Sequence, residues 1–103
     1  MTVTWDSEAR KNFRHVSRYI RDKFGVKALQ RFVKEVDDLA LLLIANPNLG
    51  FIDSLFDGRS KTYRSVVING LSKLVYLVED DTIYVVAFWD TRREPKSQAS
   101  KAI

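Results

Sequence analysis

The sequence has no cysteine. No disulfide framework can staple the fold and no thiolate can hold a metal, which suits a reducing compartment. There is a single histidine, His15, so a histidine-rich metal site is excluded as well. Neither a metal nor a cofactor is expected. The longest apolar run, Leu39 to Ala45, falls far short of the roughly 20 residues that cross a bilayer. The N-terminus has no charged start followed by an apolar stretch, so no signal peptide is expected. These absences together point to the cytoplasm and away from a membrane.

What is present fits one domain, residues 1–103, with a tail from about residue 96 that is polar, basic and frayed. Hydrophobic residues make up 46% of the 103, enough to bury a core. A core of this size is marginal, and a partner subunit would add to its stability. The net charge of +4 favours polyanions or an acidic protein segment.

Thr2 to Trp5 is short and β-prone, with Val3 and Trp5 on one face. Asp6 or Ser7 supplies an N-cap, because a short side-chain oxygen can accept an orphan backbone N–H. Ala9, Phe13, Val16, Ile20 and Phe24 then recur at helical spacing. Gly25 ends that helix. Leu29, Phe32, Val36, Leu39 and Leu43 make the stripe of a second helix, which starts near Val26 and ends at Asn46-Pro47. Two amphipathic helices joined by one glycine predict an antiparallel hairpin. From about Lys61 the hydrophobic period changes to 2. Asn69-Gly70 and Asp80-Asp81 read as two-residue turns between strands at 61–68, 71–79 and 82–90. The expected fold is α+β, in the order β-α-α-β-β-β, with a mostly antiparallel sheet.

Those turns set a register and hence two faces. Ile68 is expected opposite Leu71, Val66 opposite Lys73 and Arg64 opposite Val75; across the next turn Val75 meets Val86, Lys73 meets Phe88 and Leu71 meets Asp90. Tyr63, Ser65, Val67, Leu74, Tyr76, Val78, Ile83, Val85, Ala87 and Trp89 then face the helical hairpin. Arg64, Val66, Lys73, Val75, Leu77, Tyr84, Val86, Phe88, Asp90 and, if the strand continues, Arg92 face the other way. On that second face Arg64 and Lys73 are diagonal neighbours, roughly 7–8 Å apart at the backbone. Two cations there can grip a phosphate or a carboxylate beside Tyr84 and Phe88, or each can simply pair with an acid such as Asp90. On the first helix Arg10, Arg14, Arg18 and Arg21 share a stripe, either a solvated face or a contact with nucleic acid or an acidic partner. His15 reads as an ordinary surface residue. Glu35, Asp37 and Asp38 form no carboxylate pair over an evident pocket.

In order and spacing these segments resemble the RelE/ParE toxin superfamily of type II toxin–antitoxin systems. The resemblance runs through Tyr19-Ile20, Phe24-Gly25, Ala28 and Phe32. It continues through Pro47-Asn48-Leu49-Gly50, Tyr63-Arg64, Leu74-Val75-Tyr76, Glu79-Asp80-Asp81, Ile83, and the closing Trp89 to Pro95 segment with Arg92 and Arg93. It implies a cytoplasmic toxin held inactive by a cognate antitoxin whose flexible segment wraps it, as a homodimer or a toxin–antitoxin hetero-oligomer. It implies one of two targets: DNA gyrase for ParE-like members, or mRNA in the ribosomal A site, cut without a metal, for RelE-like members. By resemblance Arg64 matches the strand arginine that holds the scissile phosphate, Arg92 or Arg93 the later catalytic arginine, and Lys73 a position where relatives carry arginine. As a nuclease the chain would use Arg64, Lys73, Arg92 and Arg93. As an antitoxin-binding surface it would use Arg64, Lys73, Tyr84 and Phe88. Cleavage by 2′-hydroxyl attack also needs proton transfer. Residues 96–103 contain no tyrosine or histidine, and Asp90 stands where many relatives have histidine. That pattern favours the ParE-like, non-nuclease reading. A degenerate member that binds an antitoxin and poisons nothing is the third alternative.

Overall fold

The computed structural model describes residues 1–56, 58, 60–70 and 72–90. Strand β1 (Thr2–Trp5) leads into helix α1 (Ser7–Phe24), whose N-terminus is capped by Asp6: its Oδ1 accepts the Ala9 N–H at 2.8 Å. Gly25, at φ 94°, serves both helices. Its N–H donates to Arg21 O at 3.0 Å, and its carbonyl accepts the Leu29 N–H of α2 (Val26–Ala45) at 3.2 Å. The predicted inward stripes hold, with Phe32, Val36, Leu39 and Leu43 buried on α2 and Phe13, Val16 and Ile20 half-buried on α1. Phe24 is the exception. At the hairpin's turn it is 65% exposed. No helix among the described residues is long and apolar enough to cross a membrane.

After α2 come β2 (Phe51–Ile52), a 3-10 turn (Ser54–Phe56), β3 (Arg64–Ile68), β4 (Ser72–Glu79) and β5 (Thr82–Asp90). The sheet runs β1-β5-β4-β3-β2, parallel between β1 and β5 and antiparallel elsewhere. The fold is α+β, as predicted. The short β2 and the turn after it are additions, since elements of two and three residues leave no periodic signal.

Two details of register differ from the expectation, and each turns side chains over. Asp80 and Asp81 (φ 52° and 59°) make the predicted tight turn, closing on Glu79 opposite Thr82. Asn69 and Gly70 also take positive φ, but Ile68 pairs with Ser72 instead of Leu71. This slip of one residue sends Val66 and Ile68 to the helix side with Leu74 and Tyr76. Tyr63 goes to the far side with Val75 and Leu77. Farther along, Tyr76 pairs with Val85 but Val75 pairs with Ala87, so Val86 is the extra residue of a β-bulge. Beyond it Phe88 and Trp89 exchange the faces expected of them, and Ala87 lies with Trp89.

Both faces are therefore apolar, and both are covered. Toward the helices, the Phe88 ring lies 5.5 Å from that of Phe13, 5.7 Å from Phe32 and 6.1 Å from Trp5, while Ile83 and Val85 fill in beside them. On the far side Phe56 stacks on Tyr63 at 4.8 Å and on Trp89 at 5.8 Å, over Val75, Leu77 and Val86. The strap that carries Phe56 is anchored at Gly50. Its N–H donates to the Tyr76 hydroxyl at 2.9 Å, and that hydroxyl donates to Pro47 O at 2.7 Å. A Cβ at position 50 would sit 2.8 Å from both Ser65 O and Tyr76 Cε1, which explains glycine three residues after Pro47.

Candidate functional site

The slip in β3 separates the two cations expected side by side. Arg64 pairs across the sheet with Tyr76 on the helix side, half-buried, and its Nη1 donates to Gly50 O at 2.9 Å. Burial pushes the Tyr76 phenol above its ordinary value, against the lowering effects of the Gly50 hydrogen bond and the Arg64 charge. It therefore stays protonated and able to donate. Arg64 thus holds the hairpin's exit loop to the sheet.

Lys73 is on the other face, 4% exposed, with Nζ 2.6 Å from Asp53 Oδ2 and 5.5 Å from the centre of the Trp89 ring. The Ser65 hydroxyl donates to the same Oδ2 at 2.6 Å, and the Leu55 N–H to Oδ1 at 3.0 Å. Burial alone would raise the Asp53 pKa. The bonds from Lys73, Ser65 and Leu55, with the lysine charge, outweigh it and hold the carboxyl below its ordinary 3.8. Asp53 was not singled out from the sequence. Its one local signal is a short acid that can turn the chain onto its own backbone two residues on.

Of the other sequence candidates, Tyr84 is half-buried against the far-face cluster and Phe88 is 1% exposed in the helix-side core. Arg92 and Arg93, the remaining nuclease candidates, and the tail from residue 96 lie outside the described residues.

A groove of about 790 Å³ opens where the sheet loses a neighbour. β1 pairs with β5 only as far as Trp5 opposite Val85, so α1 flanks the last residues of β5 in place of a strand. There Asn12 Oδ1 accepts the Phe88 N–H at 3.2 Å, fastening α1 to the strand. Val16, Ile20, Phe88 and Trp89 supply an apolar lining; Lys11, Arg14 and Arg18 supply a cationic lip, with His15 and the acid Asp90 also lining the groove. The exposed rings of Tyr19 and Phe24, 6.4 Å apart, stand at its edge. A concave site with an apolar floor and positive rim suits an acidic amphipathic segment. Phe88 lines it; Arg64, Lys73 and Tyr84 do not.

Residues 3–95 match the family described as the ParE toxin of the type II toxin-antitoxin system, parDE. The chain belongs to the ParE toxin family. A solved structure of the chromosomal ParDE TA system from P. aeruginosa shares the fold of this ParE-family chain. The TM-score is 0.69 at 12% identity, over 87% of this chain and 95% of that one. No curated protein sequence matches it significantly. For a ParE-family chain the groove, the cationic lip and the buried Asp53–Lys73 pair are distinct features: an open surface on one side and a sealed fastening on the other.

Proposed function

We propose that this ParE-family chain, a single domain over residues 1–103, is a cytoplasmic growth inhibitor that acts on DNA gyrase and is neutralised by a cognate antitoxin in a hetero-oligomer. The family match over residues 3–95 carries the reading. The site geometry adds support against mRNA cleavage. Arg64 and Lys73 are on opposite faces and each is bound within the chain, so they do not converge on one phosphate. The absence of histidine and tyrosine from residues 96–103 points the same way. The antitoxin contact is best assigned to the groove between α1 and the end of β5, with Phe88 in its floor and Tyr19 and Phe24 as exposed aromatic anchors.

Induced expression should arrest growth, and co-expression of a short acidic protein encoded next to it should restore growth. The double variant Tyr19→Ala/Phe24→Ala should bind that antitoxin at least ~30-fold more weakly, as loss of an aromatic anchor costs about 2 kcal/mol or more. Unchanged affinity would remove the groove from the interface. Primer extension on cellular mRNA tests the rival chemistry: codon-positioned cleavage within minutes of induction, lost in Arg64→Ala, would assign the chain to RelE-like nucleases. Normal growth without cleavage would leave an antitoxin-binding protein that poisons nothing.

A further inference from the structure

The charge of the chain is unevenly placed. Residues 7–34 carry nine Lys or Arg and two Asp or Glu, whereas the other 75 residues carry eight and eleven. The positive excess therefore belongs to α1 and the first half of α2. On α1, Arg10, Arg14 and Arg21 fall within an arc of about 40° at ~100° per residue, with Arg18 about 40° farther round. All four are exposed. Among the described residues Arg10, Arg14 and Arg18 have no carboxylate partner, and Arg21 meets only its solvent-exposed neighbour Asp22 at 3.3 Å.

The stripe runs for about 16 Å of helix at ~1.5 Å per residue. Besides arginine its arc contains only Ser7; Ser17 and Lys11 flank it about 20° to either side, and the exposed aromatics Tyr19 and Phe24 fall outside it. Those absences choose the ligand. A protein interface that uses arginine anchors sets them in a buried core with aromatic or apolar neighbours. A single strand needs aromatic platforms on which bases stack. This face has neither, and no Asn or Gln in the arc to read a base edge. It presents charge on a straight, rigid support, which suits a duplex backbone carrying about one charge per 1.7 Å of axis. We propose that the outer face of α1 binds the phosphate backbone of duplex DNA without sequence preference. The proposal is independent of the gyrase reading; Arg10 and Arg21 lie outside the antitoxin groove, whereas Arg14 and Arg18 also stand on its lip.

The test is fluorescence anisotropy of a labelled 30-base-pair duplex with the full chain, repeated on a second, unrelated sequence. With four phosphate contacts the logarithm of the binding constant should fall against that of salt with a slope near −3.6, about a hundredfold weakening from 50 to 200 mM. Arg10→Gln/Arg14→Gln/Arg21→Gln should flatten that slope by about 2.7, while the corresponding triple lysine variant should keep it. Circular dichroism and the thermal midpoint should be unchanged in both, since all three side chains are exposed. Absence of duplex binding at 50 mM salt would overturn the proposal, as would a slope unaltered in the glutamine variant. Tighter binding to a single strand than to the duplex would also overturn it. So would binding to poly-glutamate, lost in the glutamine variant, by a chain that ignores the duplex.

Discussion

Asp53→Ala is expected to remove about 3–5 kcal/mol of stability, because it leaves Lys73 buried and charged with its carboxylate gone. Against a total of about 5–15 kcal/mol for a small domain, that is enough to unfold part of the population. The cost comes from the stranded charge more than from the lost attraction. Asp53→Leu combined with Lys73→Met should therefore recover most of the loss, since replacing both partners by apolar groups is close to neutral. Denaturant midpoints of the single and double variants decide the matter; equal losses in both would mean that the pair is not the fastening. The same pair sets an acid limit. The folded pKa of Asp53 lies below the ordinary 3.8, so its contribution is complete above that value. As pH falls from about 4 through the folded pKa the contribution is lost, and wild-type stability should drop there. The double variant should lack that part of the drop.

Phe88→Ala is expected to cost about 3–5 kcal/mol, because it empties the middle of the Trp5, Phe13 and Phe32 cluster. Tyr84→Ala, at a half-buried position on the far face, should cost less. The comparison tests the β-bulge. In an uninterrupted pairing Phe88 would stand on the face away from the helices, beside Tyr84. A thermal midpoint that barely moved in Phe88→Ala would show that the bulge at Val86 is misplaced. Phe88 is therefore a poor position for testing antitoxin contact, because its loss acts through the fold.

The helices were legible in the sequence because long amphipathic stripes integrate many weak signals, and because Asp6, Gly25 and Asn46 punctuate them. Strand positions were legible too, since Asp80-Asp81 and Asn69-Gly70 both adopt positive φ. Which face each side chain takes was less so. Alternation has period 2, so the added residue before Ser72 and the extra Val86 each invert the facing of the strand residues beyond them. Neither leaves a mark when both faces are apolar, as they are here under the helices and under the strap carrying Phe56. The candidate site suffered most. Arg64 and Lys73 looked like neighbours only in the unslipped register, and the partner of Lys73 lies 20 residues away in a strap without periodicity. The groove was invisible for a related reason: it depends on β1 stopping at Trp5, a tertiary length mismatch.

The central claim, a ParE-family chain that poisons DNA gyrase, is tested most directly with purified components. The chain is incubated with gyrase, ATP and supercoiled plasmid, the reaction is stopped with detergent and protease, and linear DNA is quantified. The account predicts linear plasmid that rises with toxin, requires gyrase, and disappears when the cognate antitoxin is added first. Supercoiling at the control rate with no linear product, at toxin in large excess over gyrase, would contradict it.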